Sequence, residues 1–293
     1  MTSPLRPQTI LAATSAFALT LALAACEEPP PEENDPLGGG SLEDSVSAAE
    51  ATAPDPEGNQ MAHEEMREIL EDQLPEATVT DTDDWWANLR DINRELQKLE
   101  VDPIDCKPFV TASALPVPSG ALAALADTGD RQAAIYSFED WEAAQMHFQQ
   151  EAQGLDRCSE HTVLRDVGEG EFTAETELNE VEVLSGAADA VAVHRSVTAD
   201  GDTQHDLAVV LRESAVVVGV VQPLEDPLGE ESAEEMATEL EAEAALILSE
   251  AVGEEIIAPE PEPEDDEEEE DAEGAEDNDD ADTEDAGDEE TED

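Results

Sequence analysis

Apolar and polar residues follow two periods in this chain, and the change between them divides it. From Met61 the period is helical. His63 to Leu70 reads as a short helix stopped before Pro75. A longer helix follows, because Trp85, Leu89, Ile92, Leu96 and Leu99 recur at intervals of four and three and so line one face. Asp81, Asp83 and Asp84 precede it, suited to its cap and to the positive end of its dipole. Trp85 and Trp86 are neighbours and cannot share that face; one ring is expected in the core, the other against a neighbour or a contact surface. From Val101 the pattern breaks up. Asp102-Pro103 and Lys107-Pro108 bracket Cys106 in a turn-rich segment, followed by Pro116, Pro118 and Gly120. Residues 134–138 have strand character. Ser137 with Asp140 signals the cap of a helix from Glu139 to Gln153, with Trp141, Ala144, Phe148 and Ala152 on its buried face and Gly154 at its end.

Beyond Cys158 the period drops to two. Residues 161–166, 171–184 and 190–198 alternate apolar with polar, and Asp200-Gly201 marks a hairpin turn. Leu207 to Leu211 and Ala215 to Val221, joined through Arg212-Glu213-Ser214, are the most apolar strands and are expected at the centre of the sheet. A last helix from Ser232 to Val252 shows a capping box, Ser232 with Glu235, and an inner face of Ala233, Met236, Leu240, Ala244, Ile247 and Ala251. The resulting fold class is α+β: an antiparallel β-sheet with helices packed on one face, N-terminal helices and disordered acidic ends. Residues 61–257, about 200 in number, suit a single core.

Composition accounts for the ends. Residues 26–60 run through Pro29-Pro30-Pro31 and Gly38-Gly39-Gly40 and are rich in Pro, Glu, Ser and Ala, so they bury too little to offset the entropy of ordering and read as a linker. Residues 258–293 open on Pro259, Pro261 and Pro263 and continue as Asp and Glu, an acidic tail held disordered by its own repulsion. The chain has 79 acidic against 11 basic residues, a net charge of -68, and more than half of the acid lies in the part expected to fold. Lys98 and Lys107 are its lysines. So even a spread points to a surface suited to high external salt, where counterions screen the repulsion. It disfavours nucleic acid and anionic lipid surfaces as partners.

Ahead of the linker, Arg6 precedes an apolar run from Ile10 that ends in small residues, the layout of a signal peptide over residues 1–25. The run is shorter than the roughly 20 residues a spanning helix needs. Leu23-Ala24-Ala25-Cys26 resembles the bacterial lipoprotein signal, an aliphatic residue and two small ones before the cysteine that receives the lipid. The resemblance implies cleavage before Cys26, acylation of its thiol and a membrane partner through several acyl chains. A plain secreted protein is the alternative. With Cys26 assigned to lipid, Cys106 and Cys158 remain as an even pair in an oxidising compartment. A bridge between them closes a loop of about 50 residues, worth roughly 4 kcal/mol by chain entropy. The competing use, as metal ligands or a redox couple, lacks the local spacing of such sites.

Cys106, Trp141, Cys158 and the paired strands at 208–211 and 215–221 together resemble actinobacterial lipoproteins related to the PknH-type extracytoplasmic sensor domain. The shared order is a cysteine, a strand, an Ala-rich helix, a second cysteine and then a mostly antiparallel sheet, over residues 101–250. That domain carries a second cysteine pair late in its chain, whereas here no cysteine follows Cys158. The resemblance implies a domain that binds or senses an envelope ligand and catalyses nothing.

The residues add no catalytic signature: there is no Gly-x-Ser-x-Gly elbow, no phosphate-cradling glycine loop and no His-Glu-x-x-His. His161, His194 and His205 are weighed as a metal trio against scattered surface histidines, the default; no cofactor is expected. Paired carboxylates are too common for any to be singled out for acid–base work. The expectation is a lipid-anchored extracytoplasmic lipoprotein at the cell membrane, non-enzymatic, with an envelope ligand or protein as partner. The alternative is a polyanionic structural protein whose tails buffer cations.

Overall fold

A computed structural model describes residues 54–166 and 171–258; the signal-peptide run, Cys26, the linker before residue 54 and the acidic tail from 259 lie outside the described residues. Its strands are β1 (Thr78–Asp81), β2 (Glu100–Asp102), β3 (Ala121–Asp127), β4 (Gln132–Phe138), β5 (Glu160–Asp166), β6 (Glu171–Val181), β7 (Asp189–Ala199), β8 (Asp202–Glu213) and β9 (Val216–Leu224). They pair antiparallel in one sheet, in the order β1-β3-β4-β9-β8-β7-β6-β5-β2. The two most apolar strands sit mid-sheet, as their composition predicts. Between β7 and β8, Asp200 and Gly201 have φ of 53° and 89°, the pair of positive values a two-residue hairpin needs. Ala199 and Asp202 close that turn.

The helices are α1 (His63–Gln73), α2 (Thr82–Leu96), α3 (Lys107–Ser113), α4 (Trp141–Arg157) and α5 (Glu230–Val252). They cover both faces of the sheet, where one covered face was expected. Met66, Ile69 and Leu70 of α1 and Leu240, Ala244, Ile247 and Leu248 of α5 pack on Leu122, Ala124, Leu207, Val209, Val218 and Val220. On the opposite face, Ala144, Phe148 and Leu155 of α4, with Trp85 and Leu89 of α2, pack on Ala123, Leu125, Tyr136, Val193 and Val210. A strand buried on both faces loses its apolar–polar alternation, and the continuous runs in β3, β4, β8 and β9 carry that signal.

Burial on two sides explains the element that propensity hides. Residues 121–126, Ala-Leu-Ala-Ala-Leu-Ala, are poor strand formers. They form β3 because Leu122, Ala124 and Ala126 fill one core while Ala121, Ala123 and Leu125 fill the other. Strand β1 and helix α3 fall in stretches read as turn or left unassigned; β1 is four residues long and α3 seven, too short to show a period.

Local capping follows the sequence in one place and departs from it in three. Asp81 caps α2 with its carboxylate on the Asp83 amide, and Asp84 reaches back to the Asp81 amide, 2.9 Å away. In α4, however, Asp140 is the cap, on the Ala143 amide, while the Ser137 hydroxyl accepts from the Met61 amide. Trp141, at the first position of α4, is 54% exposed instead of buried. The α5 cap is Gly229, which places Ser232 and Glu235 inside the helix without the predicted box.

Gly154 does not end α4, which runs on to Arg157 with Cys158 as its cap residue. The Cys158 and Cys106 sulfurs are bonded, with their Cα atoms 5.6 Å apart, so the end of α4 is fastened to the turn that opens α3. Gly154 is where the two helices touch: a Cβ there would meet the Phe109 ring at 2.1 Å. Glycine inside a helix ordinarily costs about 1 kcal/mol relative to alanine. Here Gly154→Ala is expected to destabilise the protein instead, by about 1–3 kcal/mol of overpacking. Urea unfolding of the variant against the parent chain measures the sign.

Candidate binding groove

The turn at Ile104–Cys106, helix α3 and helix α4 enclose the groove. Pro108 sits in the first turn of α3, where its missing N–H costs nothing. The groove has a volume of about 880 Å³, and Pro108, Phe109, Ala112, Leu115, Phe138 and Met146 supply its apolar lining. Its disulfide wall is the Cys106–Cys158 bridge. Size and lining match what small-molecule sites require.

Two titratable groups from one face of α4 line the groove, four residues apart. The His147 ring lies 5.1 Å from the Phe138 ring, and loss of water around it pushes its pKa down to about 4. Glu151 is buried, and burial pushes its pKa up to about 7, partly opposed by its hydrogen bond with Ser113. The Ser113 hydroxyl lies 2.9 Å from the Phe109 carbonyl and 3.1 Å from the Glu151 carboxyl. One hydroxyl proton serves one acceptor at a time. With Glu151 protonated, its own O–H donates to Ser113 while Ser113 donates to Phe109. Between about pH 4 and about pH 7, then, neither His147 nor Glu151 is mainly charged. Asp105 and Arg157, one of each sign, also line the groove, so on a chain of net charge -68 its lining carries no excess of acid.

A second, smaller pocket of about 30 Å³ adjoins it, and Phe109 lines both. Its walls include Leu155, Leu178, Val193 and Ala208, with His161 and Thr176 among them. The His161 Nδ1 lies 3.0 Å from the Cys158 carbonyl oxygen. That oxygen only accepts, so Nδ1 carries the proton and Nε2 presents a lone pair. Desolvation holds the His161 pKa below its usual value, which keeps the ring neutral. At the pocket's edge, the Arg195 guanidinium grips the Asp206 carboxylate, with Nε 2.9 Å from Oδ2.

The sequence-derived candidates separate. His161 faces the α3–α4 layer, whereas His194 pairs across from Leu207 and shares its α5-side face with His205. The rings of His194 and His205 stack at 5.8 Å, and the sheet stands between them and His161. Two of the three are also buried, at 5% for His161 and 8% for His194, against the surface placement expected by default. Among the described residues, no group of three or more His, Cys, Asp or Glu is placed to hold a metal ion. Of the two adjacent tryptophans, both half-buried, Trp85 packs against the core and Trp86 lines a surface pocket. Cys26 lies outside the described residues.

Glu151 was missed, although it left a trace: it interrupts the apolar stripe Ala144, Phe148, Leu155 at a helical position where a solvated glutamate does not belong. Glu241 leaves the same trace in α5. It is 1% exposed, accepts the Leu184 amide at 3.2 Å, and has its pKa raised by burial.

No family model matches the chain, and no curated protein matches it. It is weakly similar in structure to the extracellular domain of PknH from Mycobacterium tuberculosis, with 15% identity over 53% of this chain and 78% of that one and a TM-score of 0.35. It is also weakly similar to an uncharacterized protein of Mycobacterium smegmatis, the Rv0999 ortholog, with 17% identity over 61% and 96% of the two chains and a TM-score of 0.33. Among the described residues, no helix is long and apolar enough to cross a membrane.

The raised pKa of Glu151 has a stability consequence of definite sign. The folded state keeps a proton that the unfolded chain releases above about pH 4.5, so the contribution of Glu151 is fully present below that value and is lost as pH rises through about 7. Glu151→Gln keeps a neutral hydrogen-bonding group and removes the titration. Relative to the variant, the parent chain is expected to lose up to roughly 3 kcal/mol of unfolding free energy between about pH 5 and about pH 8. Parallel urea titrations across that range measure the difference.

Proposed function

We propose that this chain is a lipid-anchored extracytoplasmic binding domain, not an enzyme, and that the groove between α3 and α4 takes an apolar, uncharged ligand of the cell envelope. The observation that carries the reading is the groove itself: about 880 Å³ of largely apolar space on an otherwise heavily acidic chain. An ionised ligand would lose hydration against the apolar walls, where His147 and Glu151 are held toward their neutral forms. An apolar one gains by burial at about 25 cal/mol per Å².

The anchoring part of the reading rests on residues 10–26. The small residues before Cys26 and the polar linker after it fit acylation of that cysteine, and the paired Cys106 and Cys158 fit a compartment where thiols oxidise. In this arrangement residues 26–60 space the domain from the membrane and residues 258–293 form a solvated tail. The end of the linker meets the domain, since the Asn59 amide bonds the Glu139 carbonyl and the Gln60 side chain reaches the Gly120 carbonyl.

The neutral apolar dye N-phenyl-1-naphthylamine tests the groove. Its fluorescence is expected to rise on binding, and Met146→Glu or Ala112→Glu, each at an exposed position on the groove wall, should weaken binding about ten-fold or more without loss of fold by circular dichroism. Unchanged binding in both variants refutes the site. Export is tested separately: Cys26→Ser is expected to abolish incorporation of labelled palmitate and to shift the protein from the membrane to the soluble fraction.

A further inference from the structure

Behind Phe109 the small pocket presents two polar atoms without partners. His161 and Thr176 face each other across β5 and β6 and are 5% and 2% exposed. Neither the His161 Nε2 nor the Thr176 Oγ1 has a hydrogen-bond partner, and both side chains line the pocket. Burial of unpartnered polar atoms is unfavourable, so structures retain them where something arrives to satisfy them. The volume of about 30 Å³ exceeds the ~10–15 Å³ one water-sized group needs and leaves little over.

Resting on the groove reading above, we propose that this pocket is the polar end of the groove and receives the hydroxyl of an apolar alcohol, whose body lies on the groove side of Phe109. The chemistry of the two atoms selects the head group. The Nε2 lone pair demands a donor, because Nδ1 already carries the ring proton toward Cys158. Thr176 both donates and accepts. A hydroxyl answers both with one oxygen. A carboxylate has no proton for Nε2 and would add a second anion beside Asp206. An ammonium group would face the Arg195 guanidinium, already engaged with that aspartate, and would give up its hydration to apolar walls. An ether or alkane leaves Nε2 unanswered. Phe109 lines both spaces, and its ring rests on Gly154.

Displacement of N-phenyl-1-naphthylamine from the full chain by 1-decanol, decyl methyl ether and decanoate tests the assignment. Decanol is expected to displace the dye at about ten-fold lower concentration than the ether, the worth of one good hydrogen bond, and decanoate to do worse than either. Thr176→Val, nearly isosteric and buried, should bring alcohol and ether to within about two-fold. A crystal of the decanol complex should place the alcohol oxygen within hydrogen-bonding distance of Nε2 and Oγ1. Equal displacement by alcohol and ether in the parent chain, or a water in the pocket with the alcohol oxygen left in the groove, overturns the hydroxyl site and leaves the groove reading standing. Failure of the dye itself to bind overturns both.

Discussion

Burial of the central strands on both faces is the constraint on which everything else depends. At a net charge of -68 the chain repels itself, and few attractive charges are available to oppose that. Cohesion therefore has to come from apolar area taken out of water. Strands β3, β4, β8 and β9 supply it twice over, since alternate residues fill the α1–α5 layer and the α2–α4 layer. Small and β-branched side chains dominate these strands. With Ala at most positions of β3 and Val along β9, helical layers pack on both faces of the sheet.

The scarce basic residues join elements where a loose edge would otherwise fray. Arg67 of α1 holds the Asp81 carboxylate and the Val79 carbonyl of β1. Arg131, just ahead of β4, pairs with Glu243 of α5 and Gln222 of β9. Arg212 ties the end of β8 to Asp189 at the start of β7, and Arg195 ties β7 to Asp206 of β8. These pairs are partly buried, which places them above the isolated surface ion pairs that contribute little, and the Arg131 contacts join segments far apart in the chain.

The groove is a consequence of this plan. One face of the sheet takes the long helix α5, while the other is covered by shorter pieces, of which α3 is seven residues long. A short helix cannot hold itself in place, and the Cys106–Cys158 bond and the Phe109–Gly154 contact fix it against α4. Much of what lies between the two helices is apolar, and of the ionisable groups that line it His147 and Glu151 are held toward their neutral forms by burial. The neutrality of His147 and Glu151 is thus a by-product of packing.

Helices α1, α2, α4 and α5, the strands from β4 onward and the α+β class were legible in the residues alone, because each has a period long enough to register and a partner face for its apolar stripe. So was the proximity of Cys106 and Cys158 as the two cysteines left once Cys26 is set aside. That both faces are covered is signalled by the unbroken apolar runs of β4, β8 and β9, but those runs do not say which helix covers which face. Nor could the sequence alone assign β3, where alanine's preference is reversed by its neighbours, or the reason for Gly154, which lies in a ring forty-five positions away. The site was decided by tertiary structure for the same reason. His147, Glu151, His161 and Thr176 are ordinary residues in one dimension; their protonation and their unpartnered atoms arise from which groups the fold sets beside them and from the water it removes.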